Sequence, residues 1–81
     1  SKTQKTILIV DDEIDILEIL KPELENTGFH VLQACNGYDA LNLITKTPVD
    51  VVLSDLTMPA MGGLELIKRI QAQAFELKRR E

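Results

Sequence analysis

Eighty-one residues, 44% of them hydrophobic and 27% charged, allow one small folded domain and exclude both a disordered chain and a multidomain one. A net charge of −4 with no basic stripe argues against nucleic acid as a direct partner, and no apolar run nears the ~18 residues of a membrane span. The single cysteine, Cys35, cannot form an internal disulfide; it reads as a small, semi-buried apolar residue in a reducing cytoplasm.

The chain begins at Ser1 and not Met, so a processed or non-native N-terminus is expected. Lys2 and Lys5 precede an apolar run that acids interrupt after four residues, which is not a signal peptide. Thr6 to Val10 (TILIV) is short, apolar and β-rich, and reads as a strand buried on both faces. Asp12 to Asn26 follows a helical period, with Ile16, Leu17, Leu20 and Leu24 on one stripe and acids crowding its start. Gly28 ends this helix, and Pro22 is expected to kink it. Phe29 to Gln33 reads as a second, more alternating strand, followed by a turn at Asn36-Gly37. Tyr38 to Thr45 is a short helix carrying Ala40, Leu41 and Ile44. Pro48 breaks the chain, and Asp50 to Ser54 is a third strand, read as the most buried segment. Gly63 to about Arg80 is a long helical pattern with Leu66, Ile67, Ile70, Ala74 and Leu77 on one side. Its terminal Lys78-Arg79-Arg80 suits the negative end of the helix dipole.

The order β-α-β-α-β-α predicts a parallel sheet with right-handed crossovers and helices on both faces. In such sheets ligands gather at the C-terminal ends of the strands. The first strand ends at Asp11-Asp12 and the third at Asp55. A strand order of 2-1-3 brings these carboxylates to one edge, where they repel unless a cation sits among them. Hard oxygen ligands suit Mg²⁺ (or Mn²⁺), weakly bound, and His30 stands alone without a zinc constellation. Capping of the first helix alone explains Asp11 or Asp12, but not Asp55 on another strand.

Together, ILIVDDE, NGYDAL and VVLSDLTMPAMGG resemble the receiver domain of two-component response regulators, from about Ile7 to Ile70. That resemblance implies a flavodoxin-like α/β fold. It implies that Asp55 accepts a phosphoryl group, that Asp12 and Asp55 ligate the metal directly, that Asp11 holds it mainly through water, and that Thr57 contributes its backbone carbonyl. Met58-Pro59 and Gly63 match the loop that shapes the site, whereas Gly62 stands where Asp or Asn is common. The implied partner is a histidine kinase or phosphotransferase, and the implied role is that of a phosphorylated module, not an enzyme.

Measured against that family, the 81 residues supply three of five strands, so residues 1–81 read as one C-terminally truncated receiver domain. The family's hydroxyl at the end of strand 4 and lysine at the end of strand 5 have no counterpart. The third strand then has an open edge, and the expected repair is a homodimer through that edge and the last helix. The alternatives are a phosphorylation-independent dimeric scaffold or adaptor, and a fragment of a longer regulator.

Overall fold

In the computed structural model, residues 4–80 are described, with side chains for residues 4–73. The elements are β1 (Thr6–Val10), α1 (Ile14–Asn26), β2 (His30–Ala34), α2 (Gly37–Lys46), β3 (Val51–Ser54) and α3 (Gly63–Arg80). The strands form one parallel sheet in the order β2-β1-β3, as expected. The register sets Val10 beside Ala34 on one side and Ser54 on the other. The central strand, β1, is therefore walled on both faces, and Ile7 to Val10 are all buried.

Alternation along β1 divides the core in two. Ile7 and Ile9 face α1, packing with Leu17 and Val31 and, at the rim, Leu20, Leu24 and Phe29. Leu8 and Val10 face α2 and α3, packing with Ala34, Ala40, Met58, Met61 and Leu66. The helices thus cover both faces of the sheet.

Several expectations need correction. Helix α1 starts at Ile14, not Asp12; Glu13, in an extended conformation, is its N-cap. Asp11 and Asp12 are therefore loop residues, free of helical constraint. Ile16 is exposed, because the inward stripe runs through Leu17, Leu20 and Leu24. The helix continues through Pro22 to Asn26, and it ends where Gly28 takes a φ of 108° that disfavours any side chain. Asn36-Gly37 is not a free turn. Asn36 caps α2 by accepting the Asp39 backbone N–H at 2.8 Å, and Gly37 is the first helical residue. Cys35 is exposed, since β2 has already ended at Ala34.

The largest correction concerns β3. Its burial alternates, with Val52 tucked against the α2–α3 layer while Val51 and Leu53 are 39% and 47% exposed. Among the described residues it pairs with β1 alone; the expected open edge is present, and the strand is not the most buried segment. In α3, Leu66 is fully buried and Ile70 half-buried, but Ile67 points outward. The expected stripe positions Ala74 and Leu77, and the basic cluster at residues 78–80, lie outside the described side chains.

Candidate metal and phosphoryl site

The site follows from the register. Val10 and Ser54 are paired neighbours, so Asp11 and Asp55 each come one step beyond the end of adjacent strands. Backbone bonds carry the pairing past the strand ends: Asp55 N–H donates to the Val10 carbonyl at 2.9 Å, and Asp11 N–H to the Ala34 carbonyl at 3.2 Å. Neighbouring strands are about 4.8 Å apart. With the strand ends side by side, one carboxylate oxygen from each of Asp11, Asp12 and Asp55 is found within 4.8 Å of the others. Asp11 and Asp55 are half-buried and Asp12 is exposed.

Each of the two half-buried acids is tied to its own loop. The Glu13 N–H donates to Asp11 Oδ1 at 2.9 Å, and the Thr57 N–H donates to Asp55 Oδ1 at 3.3 Å. These are Asx-type local bonds, which fix a carboxylate while leaving its second oxygen available. Below the acids, Ile9, Leu17, Leu20 and Leu53 line an open cleft of about 210 Å³ whose floor is apolar and whose rim is Asp11 and Asp55.

The donor set is all oxygen, with no nitrogen or sulfur ligand in the cluster. Two ligands on opposite sides of a Mg²⁺ ion are about 4.2 Å apart. A span of at most 4.8 Å fits such an ion with one acid acting through water, whereas zinc prefers a tetrahedral N/S set. The residues present fit a hard divalent cation. Thr57 lies exposed in the loop two residues beyond Asp55, and its assignment as a carbonyl ligand rests on the family resemblance.

The loop from Leu56 to Gly62 is held by close packing. Ala60 adopts a φ of 69°, and Met61 N–H donates to the Pro59 carbonyl at 2.7 Å, which closes a γ-turn around Ala60. Gly63 begins α3 directly against the Asp55 carbonyl and Leu56 Cα, so close that a Cβ has no room. Its N–H donates to the Leu56 carbonyl at 3.0 Å. The resemblance singled out Met58, Pro59 and Gly63 but not Met61, which is 1% exposed and anchors the loop to the core. The signal for Met61 was an apolar residue three positions after Met58 in an otherwise turn-rich stretch.

Comparison with known proteins agrees with this geometry. The chain matches the family model for the response regulator receiver domain over residues 7–79. It is 47% identical over 66 residues to the response regulator GtcR of Aneurinibacillus migulanus, covering 82% of this chain and 27% of that protein. It is 42% identical over 65 residues to sporulation initiation phosphotransferase F of Bacillus subtilis, covering 80% and 52% respectively. The response regulator protein TrrA of Thermotoga maritima, solved with Mg²⁺-BeF, superposes with a TM-score of 0.82 at 40% identity, over 86% of this chain and 61% of that one. TrrA has also been solved in complex with the histidine kinase ThkA. The chain thus spans between about a quarter and three fifths of the length of these relatives. Matched by that family model over nearly its whole length, the chain belongs to the response regulator receiver domain family.

Proposed function

We propose that residues 1–81 form a single receiver-type signalling module that accepts a phosphoryl group on Asp55 from a histidine kinase or phosphotransferase. The observation that carries this reading is the meeting of Asp11, Asp12 and Asp55 within 4.8 Å at the ends of adjacent strands. An Asp55 carboxylate oxygen attacks phosphorus, the phosphohistidine N–P bond breaks, and the nitrogen keeps the bonding pair and takes a proton. Asp55 then carries an acyl phosphate. Asp12 and Asp55 would hold Mg²⁺ directly, Asp11 mainly through water, and the Thr57 carbonyl would complete the protein ligands. When bound, the ion neutralises charge on the phosphoryl oxygens. The protein's own part is positional: the Thr57 N–H fixes one Asp55 oxygen, and the edge location leaves the other open to a donor. The group is received stoichiometrically, so the module is not an enzyme. The complexes of TrrA with Mg²⁺-BeF and with a kinase support this reading.

An exposed, free Cys35 fits a reducing compartment, and we assign the module to the cytoplasm. Among the described residues, no helix is long and apolar enough to cross a membrane. The acidic balance of the chain supports a partner other than nucleic acid.

Incubation with a small phosphodonor and Mg²⁺ should add one phosphoryl group in intact-mass analysis, and Asp55→Asn should abolish it. Equal labelling of the variant puts the acceptor elsewhere. No labelling of wild type leaves the scaffold reading.

We also propose a homodimer through the β3 edge and the last helix. The supporting observation is that, among the described residues, β3 pairs only with β1 while Val51 and Leu53 remain 39% and 47% exposed. Pairing a second copy there satisfies edge backbone groups and covers both side chains. Light scattering should give twice the chain mass; a folded monomer at ~100 μM, where even a micromolar dimer dominates, ends this proposal.

A further inference from the structure

The loop that follows Asp55 is clamped from two sides. On one side, Gly63 lies against the Asp55 carbonyl. On the other, Met61 is seated on the first turn of α2, at Gly37. A Cβ built at Gly37 would lie 2.6 Å from Met61 Sδ and 3.1 Å from both its Cβ and Cγ. Real Cβ atoms do not approach that closely, so Met61 would have to give way. It has little freedom to do so, being 1% exposed and packed with Leu8, Val10, Ala40, Met58 and Leu66. Its backbone is joined by the γ-turn bond to Pro59, and through Met58 the same short loop reaches Thr57 and Asp55. Gly37 is thus remote in sequence from the acids but mechanically linked to the loop that aims them.

We propose that Gly37 is a positioning residue for the cation site: by carrying no side chain it lets Met61 seat on α2, which sets the path of residues 57–61 and hence the aim of the Thr57 carbonyl and the Asp55 carboxylate. The inference rests on the Mg²⁺ reading above. It accounts for a glycine at the start of a helix, where alanine is intrinsically the better helix former. It also makes the α2 N-terminus part of the site's supporting structure without placing it near the metal.

The test is a double-mutant cycle between Gly37→Ala and Met61→Ala, read by Mg²⁺ titration of backbone amide shifts at residues 11–13 and 55–58. Gly37→Ala should raise the Mg²⁺ dissociation constant about 10-fold, the lower end of what losing a ligand's supporting group costs. In the Met61→Ala background the same substitution should change it little, because the Sδ at 2.6 Å is gone and the remaining Cβ at 3.1 Å needs to give by only a few tenths of an ångström. An unchanged constant in Gly37→Ala, or an equal loss in both backgrounds, overturns the proposal. If Gly37→Ala does not fold, the pair with Met61→Ala should fold and bind Mg²⁺ as Met61→Ala alone does; a pair that fails to fold where Met61→Ala alone folds overturns the proposal. A second readout needs no metal. Hydrogen exchange at the Met61 and Gly63 amides, which donate to Pro59 and Leu56, should quicken in Gly37→Ala while exchange in α1 holds steady. Should wild type show no Mg²⁺ response, the cation reading falls; the metal-free exchange then still decides whether Gly37 positions the loop.

Discussion

Neutralising Asp55 should make the metal-free protein more stable, not less. One oxygen of Asp55 lies within 4.8 Å of one on Asp11 and one on Asp12. At that separation each pair of like charges costs about 0.9 kcal/mol in a water-like dielectric. Salt at about 0.15 M, with a Debye length near 8 Å, reduces this to about half. Two pairs therefore cost about 1 kcal/mol, and Asp55→Asn removes both. Asparagine keeps an Oδ1 that accepts the Thr57 N–H, so the loop bond survives the change. A domain of this size gains about 4–8 °C in Tm per kcal/mol. Magnesium offsets the difference. For a site with Kd on the order of 1 mM, about 10 mM Mg²⁺ stabilises wild type by about 1.4 kcal/mol, and the variant, lacking one ligand, by far less. Urea melts followed by circular dichroism serve as the assay, since the chain has no Trp. In chelator Asp55→Asn should melt later than wild type, and in Mg²⁺ the two should converge. Refutation is direct: a variant no more stable than wild type in chelator, or equal Mg²⁺ stabilisation of both, means that the three acids are not electrostatically coupled.

Three further outcomes test the scaffold beneath the site. Gly63→Ala forces a Cβ against the Asp55 carbonyl and Leu56, and should lower unfolding stability by about 1–3 kcal/mol in urea titration. Leu8→Ala empties a fully buried position in the central strand, at a cost of about 2–5 kcal/mol. Total stability for a chain of this length is about 4–12 kcal/mol, so that variant should lose a large fraction of its native signal at mild denaturant. Asn36→Ala removes the α2 cap and should cost about 0.5–2 kcal/mol in the same melts, with Asn36→Ser recovering most of it.

The acid site was legible because the ends of apolar runs mark the ends of strands. TILIV stops at Asp11 and VVLS at Asp55, and a parallel sheet with β1 central can only bring those two points together. The start of α1 was not legible in the same way. Acids before a helical period look like first-turn residues preferred by the dipole, yet here Asp11 and Asp12 belong to the loop and Glu13 is the cap. Asn36-Gly37 misled for a related reason. Asn-Gly favours turns, but Asn36 followed three residues later by Asp39 is also a capping pattern, and it is the latter bond that forms. The open edge of β3 was foreseen, but its burial was misjudged because three apolar residues in a row look like a strand covered on both faces, and one face of this strand is left uncovered. With only β1 beside it, Leu53 is left at the mouth of the apolar cleft.

The dependence of the site on register joins stability to chemistry. Side chains alternate along a strand, so a slip of one residue between β1 and β3 would carry Asp55 to the opposite face of the sheet, away from Asp11. The side chain that resists the slip is Val52, which packs against the Leu8 and Val10 half of the core while Val51 and Leu53 face the other way. A slip would turn Val52 out of that half of the core and force Val51 and Leu53 into the space shaped for it. Apolar side chains that hold no metal therefore decide whether three carboxylates meet. They also decide how closely the acids meet, since the core must outweigh the repulsion that their meeting creates. A core substitution that merely loosens the β1–β3 pairing should consequently relax that repulsion and weaken cation binding together, through one cause, before it unfolds the chain.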